Sequence, residues 1–389
     1  MTEPRPLRFA VIGCGMLARS QHIPNLAASS RAVLHTCCDL DDDALCECRD
    51  VHGAHHTTKD YKAAIRDPEV EAVCIATTEK FRLPPIEEAA RAGKPVYCEK
   101  PLATTLDELY RIQRVVNDAG IPFCVGHNRR SSPALRDAHA LFRAHMARPA
   151  PCPWRFDREG KDRPAVDGEG AAAMSVRIND DWWSWKKWVF DKTQAPHGPM
   201  LFEMTHFTDL CTWFLAAEPE GVMALEQGLL NHGILIQYRT GEIATLLMSA
   251  NGTFGYPKEL YELFGHGAAV VVDHMLDVRT AGIEGAPTCT RYPMLNDRHP
   301  DIGTEGGVSG WLAKKRTACR EAAEAGDPSL GFTAEPDKGH ARTLDRFVDE
   351  IQGLGPQVCG VEDAVLATRV AFAAVRAAHE KRFVMLDEL

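Results

Sequence analysis

The sequence predicts an α/β chain. A doubly wound parallel sheet comes first, then an α+β domain built on a mostly antiparallel, open sheet. Three observations lead there. Short apolar runs alternate with helical segments through the first third of the chain, the pattern of βαβ units. The first of these runs, Arg8-Phe-Ala-Val-Ile12, ends in Gly13-x-Gly15-x-x-Ala18. Beyond about residue 128 the alternation stops, and β-prone runs follow one another with little but turns between them.

The elements follow in order. Strands are expected at 8–12, 32–38, 72–76, 95–98 and 122–126, with helices near 17–29, 41–52, 60–66, 83–92 and 105–119 between them. Pro68 and the turn Gly93-Lys94-Pro95 punctuate the pattern. Residues 130–147 suit a helix, and 148–198 read as irregular, with prolines, glycines and clustered tryptophans. A helix is expected from Met200 to Phe214, then strands at 221–228, 232–239, 242–250, 258–264 and 268–273. Apolar and polar residues alternate on both sides of Thr240-Gly241, which marks a hairpin. Residues 280–335 are rich in Gly, Pro and Asp, with one helix at 310–325; helices at 338–352 and 361–380 close the chain. The division expected is 1–127 and 128–389.

Composition removes several function classes. The chain has 389 residues, 45% hydrophobic and 25% charged, enough for a large core. A net charge of -10 argues against a nucleic-acid surface and against docking on an anionic membrane. No apolar run approaches the roughly 20 residues of a membrane span. The polar start, Met1-Thr-Glu-Pro-Arg-Pro6, does not read as a signal peptide, so a cytoplasmic location is expected. The 13 cysteines are odd in number and scattered through apolar runs, which suits buried thiols in a reducing compartment. Cys46-x-Cys48 and Cys37-Cys38 lack the spacing of a zinc site, and no structural metal is expected.

The glycine-rich turn carries the first chemistry. Gly13 can make the tight turn, and Gly15 lets the backbone approach a pyrophosphate. Ala18 is small enough for close packing of helix on strand, and the helix N-terminus offers N–H groups to phosphates. Met16 and Leu17 belong to the same cofactor-facing loop. Asp39 ends the next strand, at an offset slightly beyond the usual ~20 residues. Its carboxylate can accept hydrogen bonds from adenosine ribose hydroxyls and would repel a 2′-phosphate. Leu40-Asp41-Asp42-Asp43 brings no compensating cation, so NAD is expected over NADP. These features describe a Rossmann dinucleotide-binding domain over 1–127. Its fifth strand runs into Glu99-Lys100-Pro101. Ligands of such sheets bind outside the C-terminal strand ends, which brings Lys100 to the nicotinamide end, with Glu99 to hold its ammonium and Pro101 to fix the turn.

Together the motifs resemble the Gfo/Idh/MocA oxidoreductase family, the glucose–fructose oxidoreductases, inositol dehydrogenases and relatives. The matching segments are Gly13-x-Gly15-x-x-Ala18, Ala92-Gly-Lys-x-Val-x-Cys-Glu-Lys-Pro-Leu102, Gly126-His-Asn-Arg-Arg130 and the stretch around His206. The resemblance spans most of the chain. It implies that Thr77, Thr78 and Asn128 line the cofactor, that Arg129 helps shape the substrate pocket, and that His206 is the acid/base. It also implies a homodimer or homotetramer, with residues 128–389 as the substrate-binding and oligomerisation domain.

There are departures. Many members carry an aspartate four residues before the histidine; here Phe202 stands there, and a carboxylate follows at Glu203. On one continuous helix Glu203 and His206 would share a face, so Glu203 either replaces the aspartate or points elsewhere. Arg82 stands where the family often has a histidine, and reads either as a substrate contact or as a solvent-facing side chain. Trp183 and Trp185 sit in an indole–lysine cluster that suits either a sugar-stacking wall or a protein contact. Arg177, Asn179 and Asp180 lie upstream as polar substrate contacts.

The activity implied is hydride transfer between nicotinamide and a secondary alcohol or ketone of a sugar, sugar acid or cyclitol. Lys100, His206 and Glu203 are then catalytic, and Lys100, Arg129, Trp183, Trp185, Glu203 and His206 meet the substrate. Two alternatives stand beside it. One is a glycosidase that uses bound NAD for transient oxidation and elimination. The other is a non-catalytic NAD-binding sensor.

Overall fold

The computed structural model describes residues 5–147, 170–191, 195, 197–295, 303–327, 329 and 331–389. The chain divides into two compact units, Met1–Ser131 with Gly339–Arg369, and Ser132–Lys338 with Val370–Leu389.

The first unit carries a six-stranded, all-parallel sheet: β1 (Leu7–Ile12), β2 (Ala32–Cys38), β3 (His56–Thr58), β4 (Ala72–Ile75), β5 (Val96–Cys98) and β6 (Phe123–Val125). The order is β3-β2-β1-β4-β5-β6, so the winding reverses between β1 and β4. That reversal opens a crevice at the C-terminal strand ends, where such sheets take ligands. β4, β5 and β6 are buried along their whole length, as cover on both faces requires.

The connecting helices are α1 (Ile23–Ala28), α2 (Asp42–Asp50), α3 (Tyr61–Arg66), α4 (Leu83–Arg91) and α5 (Leu106–Ala119). Their starts follow the sequence chemistry. Asp41, Asp60 and Thr105 cap α2, α3 and α5 through side-chain oxygens, and α4 opens on a proline. The core joins Phe9, Val11, Leu34, Cys37 and Tyr97 to Leu344, Phe347, Val348 and Val358 from near the far end of the chain. The expected second domain, 128–389, is thus interrupted. Residues 340–351 carry an apolar stripe that completes the parallel sheet's core, a long-range contact that periodicity alone does not reveal.

The second unit carries α6 (Pro133–Ala147), α7 (Gly198–Phe202), α8 (Met204–Leu215), α9 (Gly307–Ala325) and a nine-stranded sheet. Its strands are β7 (Ala173–Asn179), β8 (Pro219–Gln227), β9 (Asn231–Tyr238), β10 (Ile243–Ser249), β11 (Glu259–Gly265), β12 (Ala268–Asp273), β13 (Asp277–Ala281) and β14 (Cys289–Arg291). After the short pair β15 (Met294–Leu295) and β16 (Glu335–Pro336), β17 (Val384–Met385) closes the edge beside β8. The sheet is open and antiparallel except where β7 and β10 run parallel.

β7 corrects the sequence reading of 148–198 as irregular. Met174, Val176 and Ile178 alternate inward with period two, and the strand lies between β10 and β11. Within that stretch, residues 148–169, 192–194 and 196 lie outside the described residues. The hairpin at Thr240-Gly241 forms as expected, pairing Ile243 with Gln237. The helix expected from Met200 to Phe214 breaks in two at Glu203. Among the described residues no helix is long and apolar enough to cross a membrane.

Candidate active site

The glycine turn follows β1. Gly13 has φ +91°, and a Cβ there would stand 2.7 Å from the Thr77 backbone nitrogen, so only glycine fits. Gly15 differs: a Cβ there meets nothing within 4 Å, and the backbone opens onto free space. Met16 and Leu17 stand exposed beside it. Asp39, at the end of β2, is tied to this turn. Its Oδ2 accepts the Cys14 N–H at 2.6 Å and its Oδ1 accepts the Asp41 N–H at 3.0 Å. Across the switch point, the Thr77 hydroxyl donates to the Phe81 carbonyl at 3.0 Å, and Thr78 is exposed. A free backbone approach, a carboxylate at the next strand end and a helix start fit a dinucleotide.

The helix after the turn begins with a π-turn, Ala18–His22, closed by the Ile23 N–H on the Ala18 carbonyl. This turn sets His22 inside the fold, with Nε2 2.8 Å from Glu99 Oε1. Glu99 follows β5 and is buried. Burial pushes its carboxyl up, but the His22 contact and the cations Lys100 and Arg82 outweigh that and hold it down at about 2. Glu99 is therefore ionised at neutral pH. Its Oε2 also accepts the Lys100 backbone N–H at 3.1 Å. Room for this carboxylate comes from Gly126, where a Cβ would lie 2.6 Å from Oε1. The Lys100–Pro101 peptide is cis. Arg82 does not face solvent: it is 3% exposed, and its Nε and Nη1 have no hydrogen-bond partner among the described residues. Asn128 and Arg129 are buried in a short 3-10 turn, where the Asn128 carbonyl accepts the Thr343 hydroxyl at 3.5 Å.

In the second unit, His206 lies buried in the first turns of α8. Glu203 does not continue that helix. It sits at the break between α7 and α8, where its carbonyl accepts the His206 N–H at 3.2 Å. Its carboxylate pairs with Lys258, whose Nζ is 2.9 Å from Glu203 Oε1 and 3.0 Å from Asp180 Oδ2. One ammonium thus clamps two carboxylates. Asp180 Oδ1 also accepts the Trp185 indole N–H at 3.3 Å. Trp183 is 81% exposed and stacks on Trp182 with ring centroids 4.6 Å apart. Phe202, at the departing position, packs edge-on against Trp188 at 5.2 Å. Arg177 and Asn179 brace the 253–257 loop through the carbonyls of Pro257, Thr253 and Tyr256.

The model of an oxidoreductase family with an NAD-binding Rossmann fold matches residues 7–127. An inositol 2-dehydrogenase 2 of Saccharopolyspora erythraea is 35% identical over 345 residues, 82% of this chain and 91% of its own length. The chain belongs to the Gfo/Idh/MocA oxidoreductase family. A myo-inositol 2-dehydrogenase of Thermotoga maritima is 22% identical over 407 aligned positions, 98% of this chain and 99% of its own. Among solved Gfo/Idh/MocA-like folds, levoglucosan dehydrogenase in complex with NADH and levoglucosan superposes with a TM-score of 0.73 at 18% identity, covering 98% of this chain and 100% of that one. At that identity the likeness speaks for the fold.

Set within the Gfo/Idh/MocA pattern, the two units sort the expected residues. The first gathers Gly13, Gly15, Asp39 and Thr77 at the strand ends around the switch point, with Glu99 and Lys100 after β5. The second holds His206, Glu203 and Trp185 around α8 and the end of β7. Sequence reasoning missed His22 and Lys258. A histidine late in a first helix carries no signal by itself, and Lys258 meets Glu203 across 55 residues.

Proposed function

We propose that this chain is an NAD-dependent oxidoreductase that moves a hydride between nicotinamide C4 and a secondary carbinol carbon of a sugar, sugar acid or cyclitol. The observation that carries the cofactor half is the open backbone at Gly15 beside Asp39. The names of the related dehydrogenases support the substrate class. Asp39 supports NAD over NADP, because a 2′-phosphate would meet its carboxylate. Residues 1–127 bind the dinucleotide, and 128–389 supply substrate contacts and the assembly surface, apart from the segment Gly339–Arg369 that completes the first unit.

The bound cofactor supplies the hydride acceptor. His206 takes the hydroxyl proton as general base. The Lys100 ammonium hydrogen-bonds the substrate oxygen and stabilises its developing negative charge. Ionised Glu99 balances that ammonium and orients its backbone. Thr77, Thr78, Met16, Leu17 and Asn128 border the cofactor; Arg129, Trp183 and Trp185 contribute to substrate binding. Glu203, paired with Lys258, orients the α8 entrance rather than exchanging the proton.

A homo-oligomer is also proposed. One face of the second sheet carries Met223, Leu225, Leu235, Ile243 and Leu247 exposed. They line up across the strands: Met223 opposes Leu235, while Leu225 and Leu247 flank Gly233. An apolar face of this kind suits a second copy of the same sheet.

The test is an assay of the pure protein with NAD against sugars, cyclitols and aryl glycosides. Reduced-nicotinamide absorbance and aryl release are followed together. Accumulating reduced cofactor with a free polyol is the expected result. Aryl release without that build-up would replace the dehydrogenase reading with a redox-cycling glycosidase.

A further inference from the structure

Three cysteines from three separate elements converge beneath the glycine turn. Cys14 lies between Gly13 and Gly15, Cys37 lies in β2, and Cys48 lies in α2. All three are fully buried, and their sulfurs lie within 4.8 Å of one another. The sequence spacing of Cys37 and Cys48 gives no hint of this, because the fold supplies the juxtaposition.

Each donor is fixed by its own backbone. The Cys14 N–H is held by Asp39, and the Gly13 N–H before it by the Cys38 carbonyl at 2.8 Å. Cys37 is paired on both sides, with Val11 in β1 and Thr57 in β3. The Cys48 carbonyl accepts the Ala54 N–H at 3.0 Å, and α2 is anchored by its Asp41 cap. These backbone contacts hold the three sulfurs close together, while the turn itself is left free to be stiffened by a bond to Cys14.

We propose that Cys14, Cys37 and Cys48 form a three-thiolate site for a soft d10 cation. With metal–sulfur bonds of about 2.3 Å, trigonal coordination needs the sulfurs about 4.0 Å apart. A spread of no more than 4.8 Å is compatible with that geometry. Thiolates select soft ions over hard ones. A divalent ion displaces three thiol protons to solvent, and the filled site carries one net negative charge. Arg19 lies within electrostatic reach of Cys48, where it is also paired with Glu47. Because Cys14 belongs to the turn that also carries Gly15, an occupied site stiffens the loop and tightens NAD binding. This coupling rests on the dinucleotide reading; the ion site does not.

The test uses Cd²⁺ with the reduced, chelator-stripped full-length protein in excess monothiol. The ion is added both to the folded chain and during refolding. One ion per chain is expected, with three sulfurs by X-ray absorption, a thiolate-to-metal charge-transfer band and three protons released. Cys48→Ala should lose the ion. Cys46→Ala, an exposed neighbour on the same helix, should keep it. Far-ultraviolet circular dichroism checks that both variants fold. Equal binding by Cys48→Ala, fewer than three sulfurs, or no ion by either route overturns the site. With the ion bound, NAD affinity should rise about fivefold or more. An unchanged NAD affinity overturns the coupling. Absent NAD binding with and without the ion overturns the dinucleotide reading and leaves the metal result to be judged on its own coordination data.

Discussion

Two glycines of one turn carry opposite constraints. At Gly13 an added methyl collides with the Thr77 nitrogen and the Ala76 carbonyl at a positive φ; at Gly15 it meets nothing. Gly13→Ala should cost at least about 2 kcal/mol of stability, read by denaturant unfolding. Gly15→Ala should unfold like the parent yet bind NAD at least about tenfold more weakly, read by titration; a pyrophosphate approaching that backbone loses about 1.4 kcal/mol or more to one methyl. The chemical residues separate differently. Lys100→Met and His206→Asn should each lower turnover by about 10² to 10⁴ while NAD still binds, because each removes one proton-handling or charge-stabilising group. Steady-state kinetics beside NAD titration checks this, and retained turnover in both would remove the mechanism. At this scale the sequence showed which residue types stood at the strand ends. It could not show that Arg82 turns inward, or that Glu99 stays ionised because His22 reaches it from the preceding π-turn.

At the scale of elements, the break between α7 and α8 decides what Glu203 does. A continuous helix would have set its carboxylate over the His206 face, one of the two placements the sequence left open. The break turns it to Lys258, beside Asp180 at the end of β7. Lys258→Met leaves two carboxylates close together without their cation. It should lower stability by about 2 kcal/mol, less than a fully buried pair because Glu203 is partly exposed. Thermal unfolding of Lys258→Met against the double variant with Glu203→Gln reads the coupling, and the second change should restore part of the loss. β7 was missed because a turn-rich, tryptophan-rich neighbourhood hid its period-two pattern, although Met174, Val176 and Ile178 alternate clearly. Five of the six parallel strands of the first unit were plain by contrast, being short apolar runs bounded by caps and glycines, whereas β3, the polar run His56–Thr58, was not.

At the scale of the whole molecule, buried groups with displaced titration shape the acid limb of stability, His274 and Glu99 among them. Burial comes first in lowering His274, and the cations Lys338, Lys315 and Arg177 add to it, so it titrates at about 3 in the fold against 6.5 ordinarily. The unfolded chain takes that proton first, so the His274 contribution declines as pH falls from about 6.5 towards 3. Glu99 acts lower: its contribution is complete above about 4.5 and is lost as pH falls through about 2. The unfolding temperature should therefore hold above pH 7, decline below 6.5, and drop more steeply below 4.5. His274→Asn, which tolerates the positive φ, should shrink the upper stage in a pH series of melting curves, leaving the share of buried His232. Assembly is tested on the same scale: Leu247→Glu should lower the mass seen by analytical ultracentrifugation without changing the unfolding of the subunit. The fold class was readable from periodicity, and with it five strands of each sheet, whereas the return of Gly339–Arg369 to the first unit was not, since no local pattern encodes a contact made across most of the chain. That return has a consequence for synthesis. A ribosome delivers the parallel sheet well before the helix bearing Leu344, Phe347 and Val348, so the nascent sheet waits with an uncovered apolar face until that helix emerges. A fragment ending at residue 131 should therefore aggregate where the 389-residue chain does not, as light scattering would show.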